Sequence, residues 1–240
     1  MMNTDVKNIL DQTQIEQRSD EWFNIRKNML TASDVAAALG INKYQSQNSL
    51  IKKKINTENT NNNSSKATEH GNKYEDEARL LFSKRYNLET WEIGLFQHPK
   101  ISWLGGSPDG IASDGNLIEI KCPVTREIYH EIPDYYYPQV QICMEILERP
   151  ACYFIQYKPM NDFQNGIMDI KIIKRSKDWF HNNFGTLSLF WKKVLYCRNN
   201  GYTKFNPEKI IDLTKLTFEG INNTLSDAES ENEIESDNEI

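Results

Sequence analysis

The stretch SPDGIASDGNLIEIKCP, residues 107–123, places charged side chains inside an otherwise apolar strand. Successive side chains of a strand point to opposite faces, so Glu119 and Lys121 share one face of LIEIK while Ile118 and Ile120 point into the core on the other. A buried charge is unfavourable unless it is paired or bound to a metal. The strand therefore needs a partner for its acid, and we expect that partner to be a divalent cation.

The loop before this strand decides whether Asp109 reaches the same face. A two-residue turn would set Asp109 opposite Ile120, with its carboxylate on the wrong face. A three-residue loop, Ser113–Gly115, with its glycine in the left-handed conformation, sets Asp109 directly opposite Glu119, with Cβ atoms roughly 5 Å apart. We predict the three-residue loop.

Two carboxylates that close repel each other, and a bound cation removes the repulsion. A few hard oxygen ligands, with room left for water and phosphate, favour Mg²⁺, with Mn²⁺ as a substitute. The backbone carbonyl of Ile120 would supply another oxygen, and Lys121 would orient or help to deprotonate an attacking water, or steady charge on a phosphate. The alternative is a surface hairpin in which Glu119 and Lys121 form a weak exposed salt bridge.

Charge is distributed unevenly along the chain. The net charge is −6, but residues 226–240 hold seven acidic and no basic side chains; without them, 27 acidic residues face 28 basic ones. This tail has no aromatic residue and is expected to be a disordered, solubilising end. The near-neutral remainder is compatible with nucleic-acid contact through local basic groups, for which Lys52–Lys54, Lys84–Arg85 and residues 171–177 are candidates.

Periodicity predicts an α/β fold with a mixed central β-sheet flanked by helices and a small N-terminal helical part. The sheet is expected to begin with strands at 91–98, 102–112 and 117–122. The predicted organisation is an N-terminal helical part at 1–55, a flexible Asn-rich loop at 56–69, the core at 70–204, a C-terminal extension at 205–225 and the acidic tail at 226–240.

Several protein classes are disfavoured by the sequence. No apolar run approaches the length of a membrane span, and the N-terminus does not resemble a secretion signal. The four cysteines form no C-x-x-C pair, which favours reduced thiols over a zinc or iron–sulfur site. We therefore expect an intracellular protein in a reducing compartment, neither secreted nor bound to a membrane.

Four blocks carry a family resemblance: EWFNIRKNMLTASD, HGNKYEDEARLLF, GGSPDGIASDGNLIEIKCPVT and YYYPQVQICMEI. Together, across roughly residues 17–158, they resemble the lambda-exonuclease and YqaJ-like viral recombinase group of PD-(D/E)XK nucleases. The resemblance implies a restriction-endonuclease-like core and a nuclease active site.

The resemblance also assigns roles to individual residues. Asp109 and Glu119 look like the metal-binding acids, and Lys121 looks like the catalytic lysine. Glu75 resembles the helical glutamate that faces the attacking water or a second ion. Gln139 looks like the glutamine that helps to hold Lys121 or the phosphate, and it is preferred to Gln141 because the two lie on different helix faces.

Three further residues, Arg26, Ser33 and Ser107, resemble groups that grip a terminal phosphate. A guanidinium fork with hydroxyls near a helix N-terminus suits a dianion. Without the resemblance, Arg26 would be read as a surface helix residue and Ser33 as a helix N-cap.

These assignments imply an Mg²⁺-dependent exonuclease that degrades duplex DNA from free ends, 5′ to 3′, and yields single strands for recombination, repair or genome processing. A structure-specific or nicking endonuclease on the same fold is the alternative, followed by a non-catalytic DNA-binding module. Expected partners are DNA, a single-strand annealing protein and other copies of the chain; if the protein is viral, it acts in the host cell. Tyr135, Tyr136 and Tyr137 are expected to stack at a DNA end or to pack on the sheet.

Overall fold

The computed structural model describes residues 3–12, 15–55, 66–128, 130–160 and 166–202. Its helices are α1 (Thr4–Gln12), α2 (Asp20–Lys27), α3 (Val35–Ala38), α4 (Gln47–Ile55), α5 (Lys66–Tyr86), α6 (Tyr137–Ile146) and α7 (Lys177–Asn200). Its strands are β1 (Leu30–Thr31), β2 (Thr90–Trp91), β3 (Phe96–Gln97), β4 (Leu104–Gly106), β5 (Gly110–Ala112), β6 (Leu117–Lys121), β7 (Ala151–Lys158) and β8 (Ile167–Lys174).

The chain divides into two units, residues 1–195 and 196–240. All strands and α1–α6 belong to the first unit, and the described part of the second unit is limited to the end of α7 and residues 201–202. The predicted C-terminal extension at 205–225 and the acidic tail at 226–240 lie outside the described residues. In the part of the chain that the structure covers, no helix combines the length and the apolar character needed to cross a bilayer.

The predicted loop at 56–69 is too long at its C-terminal end. Residues 56–65 lie outside the described part, but α5 already begins at Lys66. The stretch from Lys66 to Glu69 includes Lys, Ala and Glu, which are good helix formers, so it extends the amphipathic helix instead of the Asn-rich segment.

The predicted mixed sheet is confirmed, and a second, smaller sheet accompanies it. The larger sheet has the order β2-β5-β6-β7-β8, in which β6 and β7 run parallel and the other neighbours antiparallel. The smaller sheet has the order β1-β4-β3, with β1 and β4 parallel.

Two of the predicted strands are each split between the sheets. The segment 91–98 contributes β2 to the larger sheet and β3 to the smaller, and the segment 102–112 contributes β4 to the smaller and β5 to the larger. The breaks fall beside Gly94 and Pro108, residues that weaken or interrupt a strand because glycine has no side chain to pack and proline no N–H to donate.

Side-chain hydrogen bonds tie the two breaks together. The Nε2 atom of Gln17 donates to the carbonyl of Ile93 at 2.7 Å and to that of Pro108 at 3.0 Å. The hydroxyl of Ser107 donates to the carbonyl of Gly94 at 3.1 Å. These bonds satisfy backbone groups that have left the sheets, and they fix the chain immediately before Asp109.

Helix α5 covers one face of the larger sheet. The buried cluster between them comprises Ala78, Leu81, Phe82, Ala112, Ile118, Ile120, Ile155 and Tyr157. The side chain of Glu119 points to the opposite face, where it meets α6. The predicted alternation of Ile and charged residues along β6 is therefore confirmed.

The hairpin between β5 and β6 has the predicted three-residue loop. Gly110 is paired with Ile118, and the amide of Ala112 donates to the carbonyl of Asn116 at 2.9 Å. The φ angle of Gly115 is +87°, in the left-handed region. Continued by one residue, this register sets Asp109 opposite Glu119, as the sequence predicted.

Candidate active site

The side chain of Asp109 is anchored to the backbone of β6. Its Oδ2 atom accepts a 2.6 Å hydrogen bond from the amide of Ile120. The next residue is a glycine for a steric reason, because a Cβ atom at Gly110 would lie 2.7 Å from the carbonyl oxygen of Trp91. Gly110 thus allows the backbone to pass close to β2, while the preceding Asp109 reaches β6.

Glu119 is buried, with 1% of its surface exposed. Its Oε1 atom accepts hydrogen bonds from the ammonium of Lys121 and from the amide of Gln139. Its Oε2 atom is buried and has no hydrogen-bond partner within the described ranges. An unpartnered carboxylate oxygen in the interior is unfavourable, so this atom needs a ligand.

The two glutamines of α6 have different surroundings. Gln139 faces Glu119. Gln141 is buried, donates to the carbonyl of Lys174 at 2.9 Å and accepts from the amide of Ser176 at 2.8 Å. Gln141 therefore joins α6 to the connection between β8 and α7, and only Gln139 takes part in the site.

Glu75 reaches the site from α5. Its Oε2 atom forms a 2.8 Å ion pair with the guanidinium of Arg18. Arg18 adopts a φ angle of +67°, which is uncommon for a residue with a side chain. No local sequence pattern indicates this pairing, because the two residues are 57 positions apart.

An open cleft of about 260 Å³ joins these elements. Its lining includes Glu75, Asp109, Ile120, Lys121 and Tyr136. The Lys121 ammonium lies 5.3 Å from the centre of the Tyr136 ring. Glu119 and Gln139 lie behind this lining, so Lys121 is the group that links the buried acid to the open space.

Burial raises the pKa values of the acids at the site. Burial, with a further contribution from Asp109, raises the pKa of Glu119 to about 8 and that of Glu75 to about 7. Burial also raises the pKa of Asp109, although Lys121 and the Ile120 amide oppose the change. Burial alone would lower the pKa of Lys121, but Glu119 and Asp109 together raise it above its ordinary value.

The donor chemistry of this group suits a hard divalent cation. Asp109 and Glu119 offer carboxylate oxygens, and the unpartnered Oε2 atom of Glu119 is among them. Positive charge would offset the burial and the repulsion by Asp109 that raise the pKa of Glu119. In the described ranges, no three acidic, histidine or cysteine side chains converge as a complete ligand set. An ion here would therefore complete its coordination with a backbone carbonyl, water and phosphate, as Mg²⁺ commonly does.

The three residues predicted to grip a terminal phosphate form a second group, linked through Trp22. The guanidinium of Arg26 lies 4.0 Å from the Trp22 ring centre and donates to the hydroxyl of Ser33 at 3.0 Å. The indole N–H of Trp22 contacts the hydroxyl of Ser107 at 3.3 Å. Ser33 is exposed and makes no helix-capping bond, so the alternative role as an N-cap is not supported.

A buried ion pair, which the sequence did not reveal, supports this second group. Lys54 and Asp34 are both buried, and the Lys54 ammonium lies 2.7 Å from Asp34 Oδ2. The ammonium also donates to the carbonyls of Arg26 at 3.0 Å and Met29 at 2.8 Å. Lys54 is therefore not a surface contact for DNA, as the Lys52–Lys54 run suggested.

Thr31 connects the ion pair to the second group. Its hydroxyl donates to Asp34 Oδ2 at 2.6 Å and lies 3.2 Å from the hydroxyl of Ser33. Lys54 drives the pKa of Asp34 far below its usual range, against the effect of burial. The chain thus places an acid that is paired with a lysine, instead of an unpaired negative charge, next to the Thr31 hydroxyl that contacts Arg26 and Ser33.

Comparison with known sequences places these features in a family. The sequence model of the YqaJ-like viral recombinase domain matches residues 21–149, which include both groups described above. An uncharacterized protein of Acanthamoeba polyphaga mimivirus is 33% identical over 168 residues, covering 60% of this chain and 30% of that protein. A protein of African swine fever virus is 28% identical over 241 residues, covering 88% of this chain and 68% of its own length.

Solved structures give a consistent result. The alkaline exonuclease LHK-Exo from Laribacter hongkongensis superposes with a TM-score of 0.64 at 28% identity, covering 75% of this chain and 95% of the bacterial one. Its complex with dAMP superposes with a TM-score of 0.65. The fold is therefore the mixed α/β fold of these exonucleases.

Proposed function

Because the chain belongs to the YqaJ-like viral recombinase family, we propose that it is a metal-dependent exonuclease that hydrolyses duplex DNA from a free 5′ end. One observation carries the proposal: the hairpin register sets Asp109 opposite Glu119, with Lys121 two residues further along at a cleft of about 260 Å³. The similarity to an alkaline exonuclease across 95% of that chain supports the same reaction class.

The metal site would be formed by Asp109, Glu119 and the backbone carbonyl of Ile120, with Mg²⁺ as the ion and Mn²⁺ as a substitute. When bound, the ion supplies Lewis-acid polarisation of the phosphodiester. Glu75 lines the same cleft and would either hold the attacking water or bind a second ion. Its ion pair with Arg18 orients the Glu75 carboxylate.

Lys121 is the catalytic cation in this proposal. Its hydrogen bond to Glu119 fixes the ammonium at the cleft, where it orients the attacking water and steadies the charge that develops on the phosphate. Gln139 donates to the same oxygen of Glu119 and thereby keeps Glu119 oriented toward Lys121. Gln139 is a positioning residue, since it does not line the cleft.

The end preference would come from Arg26, Ser33 and Ser107. A guanidinium with two hydroxyls can hold a terminal phosphate dianion through charge-assisted hydrogen bonds. A DNA end anchored there would deliver its first phosphodiester to Lys121 and favour degradation from a phosphorylated 5′ end. The product would be single-stranded DNA for recombination, repair or genome processing.

The relatives in two viruses support action inside a host cell. A single-strand annealing protein and further copies of the chain remain the proposed partners. This chain matches 30% of the mimivirus protein and 68% of the African swine fever virus protein. The partners are therefore proposed for this chain and not for the longer relatives.

Digestion of matched DNA molecules tests the proposal. The full chain is incubated with Mg²⁺ and one DNA sequence in three forms: 5′-phosphorylated linear, 5′-hydroxyl linear and covalently closed circular. An exonuclease with the proposed end preference degrades the phosphorylated linear form fastest and leaves the circle intact. Cleavage of the circle would favour the endonuclease alternative, and the absence of any Mg²⁺-dependent cleavage would favour a non-catalytic DNA-binding module.

A further inference from the structure

A cluster of aromatic rings outside the proposed catalytic and phosphate-binding groups leads from the cleft to the surface. Tyr136 lines the cleft, and its ring centre lies 4.4 Å from that of Tyr135. The ring of Tyr135 meets that of Tyr44 edge to face, with centres 5.5 Å apart. The three rings therefore form a continuous path that ends at the exposed Tyr44.

The three tyrosines of this path differ in how far their rings are packed against other residues of the protein. Tyr136 contacts Phe154 and lies beside Lys121, and the neighbouring Tyr137 packs against Trp179 outside the path. Tyr44, in contrast, is 72% exposed. Tyr44 is thus the ring of the path that offers a surface to a ligand.

The backbone holds Tyr44 in a defined place. Gly40 ends α3 with a φ angle of +78°, and the amides of Ile41 and Asn42 both donate to the carbonyl of Ala36. The side chain of Asn42 then accepts from the amide of Tyr44 at 2.8 Å. An aromatic residue presented by such a closed turn loses little conformational freedom when it binds, which favours a binding role over that of a solvated loop residue.

A cation accompanies the rings. The exposed ammonium of Lys43 lies 5.0 Å from the ring centres of both Tyr44 and Tyr135. Stacking aromatic side chains beside a positive charge is the combination that binds single-stranded nucleic acid, since the rings accept bases and the cation accepts phosphate. A fully paired duplex keeps its bases stacked on each other and offers none to such a site.

We propose that Tyr44, Tyr135 and Lys43 form a stacking site for a single-stranded segment of DNA that continues from the cleft. The inference rests on the proposed function, because it assumes that DNA occupies the cleft. It adds that the substrate held by the enzyme includes unpaired nucleotides beyond the duplex end. Tyr44 provides the stacking surface, Lys43 contacts the adjoining phosphate, and Tyr135 supports both.

Binding by a catalytically inactive chain tests the inference. The full chain with Asp109→Asn is titrated into fluorescent duplexes that are blunt or carry a single-stranded tail of about six nucleotides at the 3′ or 5′ end. Adding Tyr44→Ala should weaken binding of one tailed duplex by roughly 5- to 150-fold and change the Kd of the blunt duplex by less than about two-fold. Tyr44→Trp should retain the affinity for the tail.

A second exposed tyrosine provides the matched control. Tyr86 is 56% exposed, stacks on Phe82 and does not line the cleft, so Tyr86→Ala should leave the affinity for all three DNAs unchanged. Equal affinities of the Tyr44→Ala and parent chains for both tailed duplexes would overturn this inference and leave the exonuclease proposal intact. Failure of the Asp109→Asn chain to bind any DNA would overturn both.

Discussion

The amide of Ile120 donates a 2.6 Å hydrogen bond to the Oδ2 atom of Asp109. The bond ties the segment before β5 to β6. The backbone of β6, which carries Glu119, therefore also fixes the position of Asp109, the other acid of the proposed metal site. An asparagine at position 109 would keep an acceptor oxygen for this bond. Geometry and charge at this position can therefore be separated by a single substitution.

The two glutamines of α6 should show opposite effects when each is replaced by alanine. Gln139→Ala should lower nuclease activity roughly 10- to 100-fold with little change in stability, since it removes a bond that orients Glu119. Gln141→Ala should lower the free energy of unfolding by about 1–3 kcal/mol and spare activity, since it removes the side-chain partner of two partly buried backbone groups, a carbonyl and an amide. Urea unfolding and initial rates on linear DNA measure both quantities, and reversed effects would refute the assignment of the two side chains.

Replacing the buried Lys54 by methionine should destabilise the chain. The change leaves the buried charge of Asp34 with only the exposed Lys53 ammonium nearby, so a loss of about 3–5 kcal/mol in the free energy of unfolding is expected. The neighbouring Lys53 is 61% exposed and lies 3.6 Å from the same acid, so Lys53→Met should cost less than about 1 kcal/mol. Equal urea-unfolding midpoints for the two variants would contradict the structural role given to Lys54.

Loss of the Arg26 guanidinium should reduce discrimination between DNA ends. In the wild type, a 5′-phosphorylated end should be degraded faster than a 5′-hydroxyl end. In Arg26→Gln, the rate on phosphorylated ends should fall roughly 10-fold or more, because a charge-assisted contact is lost, while the rate on hydroxyl ends changes little. The ratio of the two rates is its own control for folding, and an unchanged ratio would exclude Arg26 from end recognition.

Removal of metal should make stability depend on pH. The folded-state pKa values of Glu119, about 8, and Glu75, about 7, lie above their ordinary value of 4.5. Between pH 5 and 8 the folded state therefore holds more protons than the unfolded state, and stability falls as the pH rises through this window. In EDTA the Tm should drop by several degrees from pH 5 to pH 8, since each kcal/mol corresponds to roughly 2–4 °C at this chain length.

Two comparisons check the cause of that drop. At the proposed metal site Mg²⁺ would bind the ionised form of the acids, so adding it should raise the Tm more at pH 8 than at pH 5. Glu119→Gln removes the group with the larger shift and should flatten the pH profile in EDTA. A Tm in EDTA that rises steadily from pH 5 to pH 8 would show that the burial and mutual repulsion of these acids do not govern how stability depends on pH.

The hairpin could be predicted from the sequence because its determinants are local. The alternation of Ile and charged residues along β6 fixes the faces, and Gly115 fixes the loop, so the position of Asp109 opposite Glu119 follows. The choice of Gln139 over Gln141 comes from the family resemblance, and helix geometry adds only that residues two positions apart point in different directions. Residues related by a turn or a short helical interval carry their spatial relation in their spacing.

Contacts between distant segments could not be predicted in this way. Lys54 belongs to a run of three lysines that looks solvated, and only the fold brings it onto Asp34. Arg18 meets Glu75 across 57 positions, and Gln17 joins two breaks in the sheets that sequence periodicity had treated as continuous strands. Each contact depends on which elements pack together, and no local pattern specifies that.

The most direct test of the account is the activity of Asp109→Asn on 5′-phosphorylated linear duplex DNA across a titration of Mg²⁺. This variant should keep the Tm of the wild type in EDTA within a few degrees, still bind DNA, and lose more than about 100-fold of the Mg²⁺-dependent rate. A variant that degrades DNA at the wild-type rate, with the same dependence on Mg²⁺, would contradict the assignment of the paired acids as the catalytic metal site.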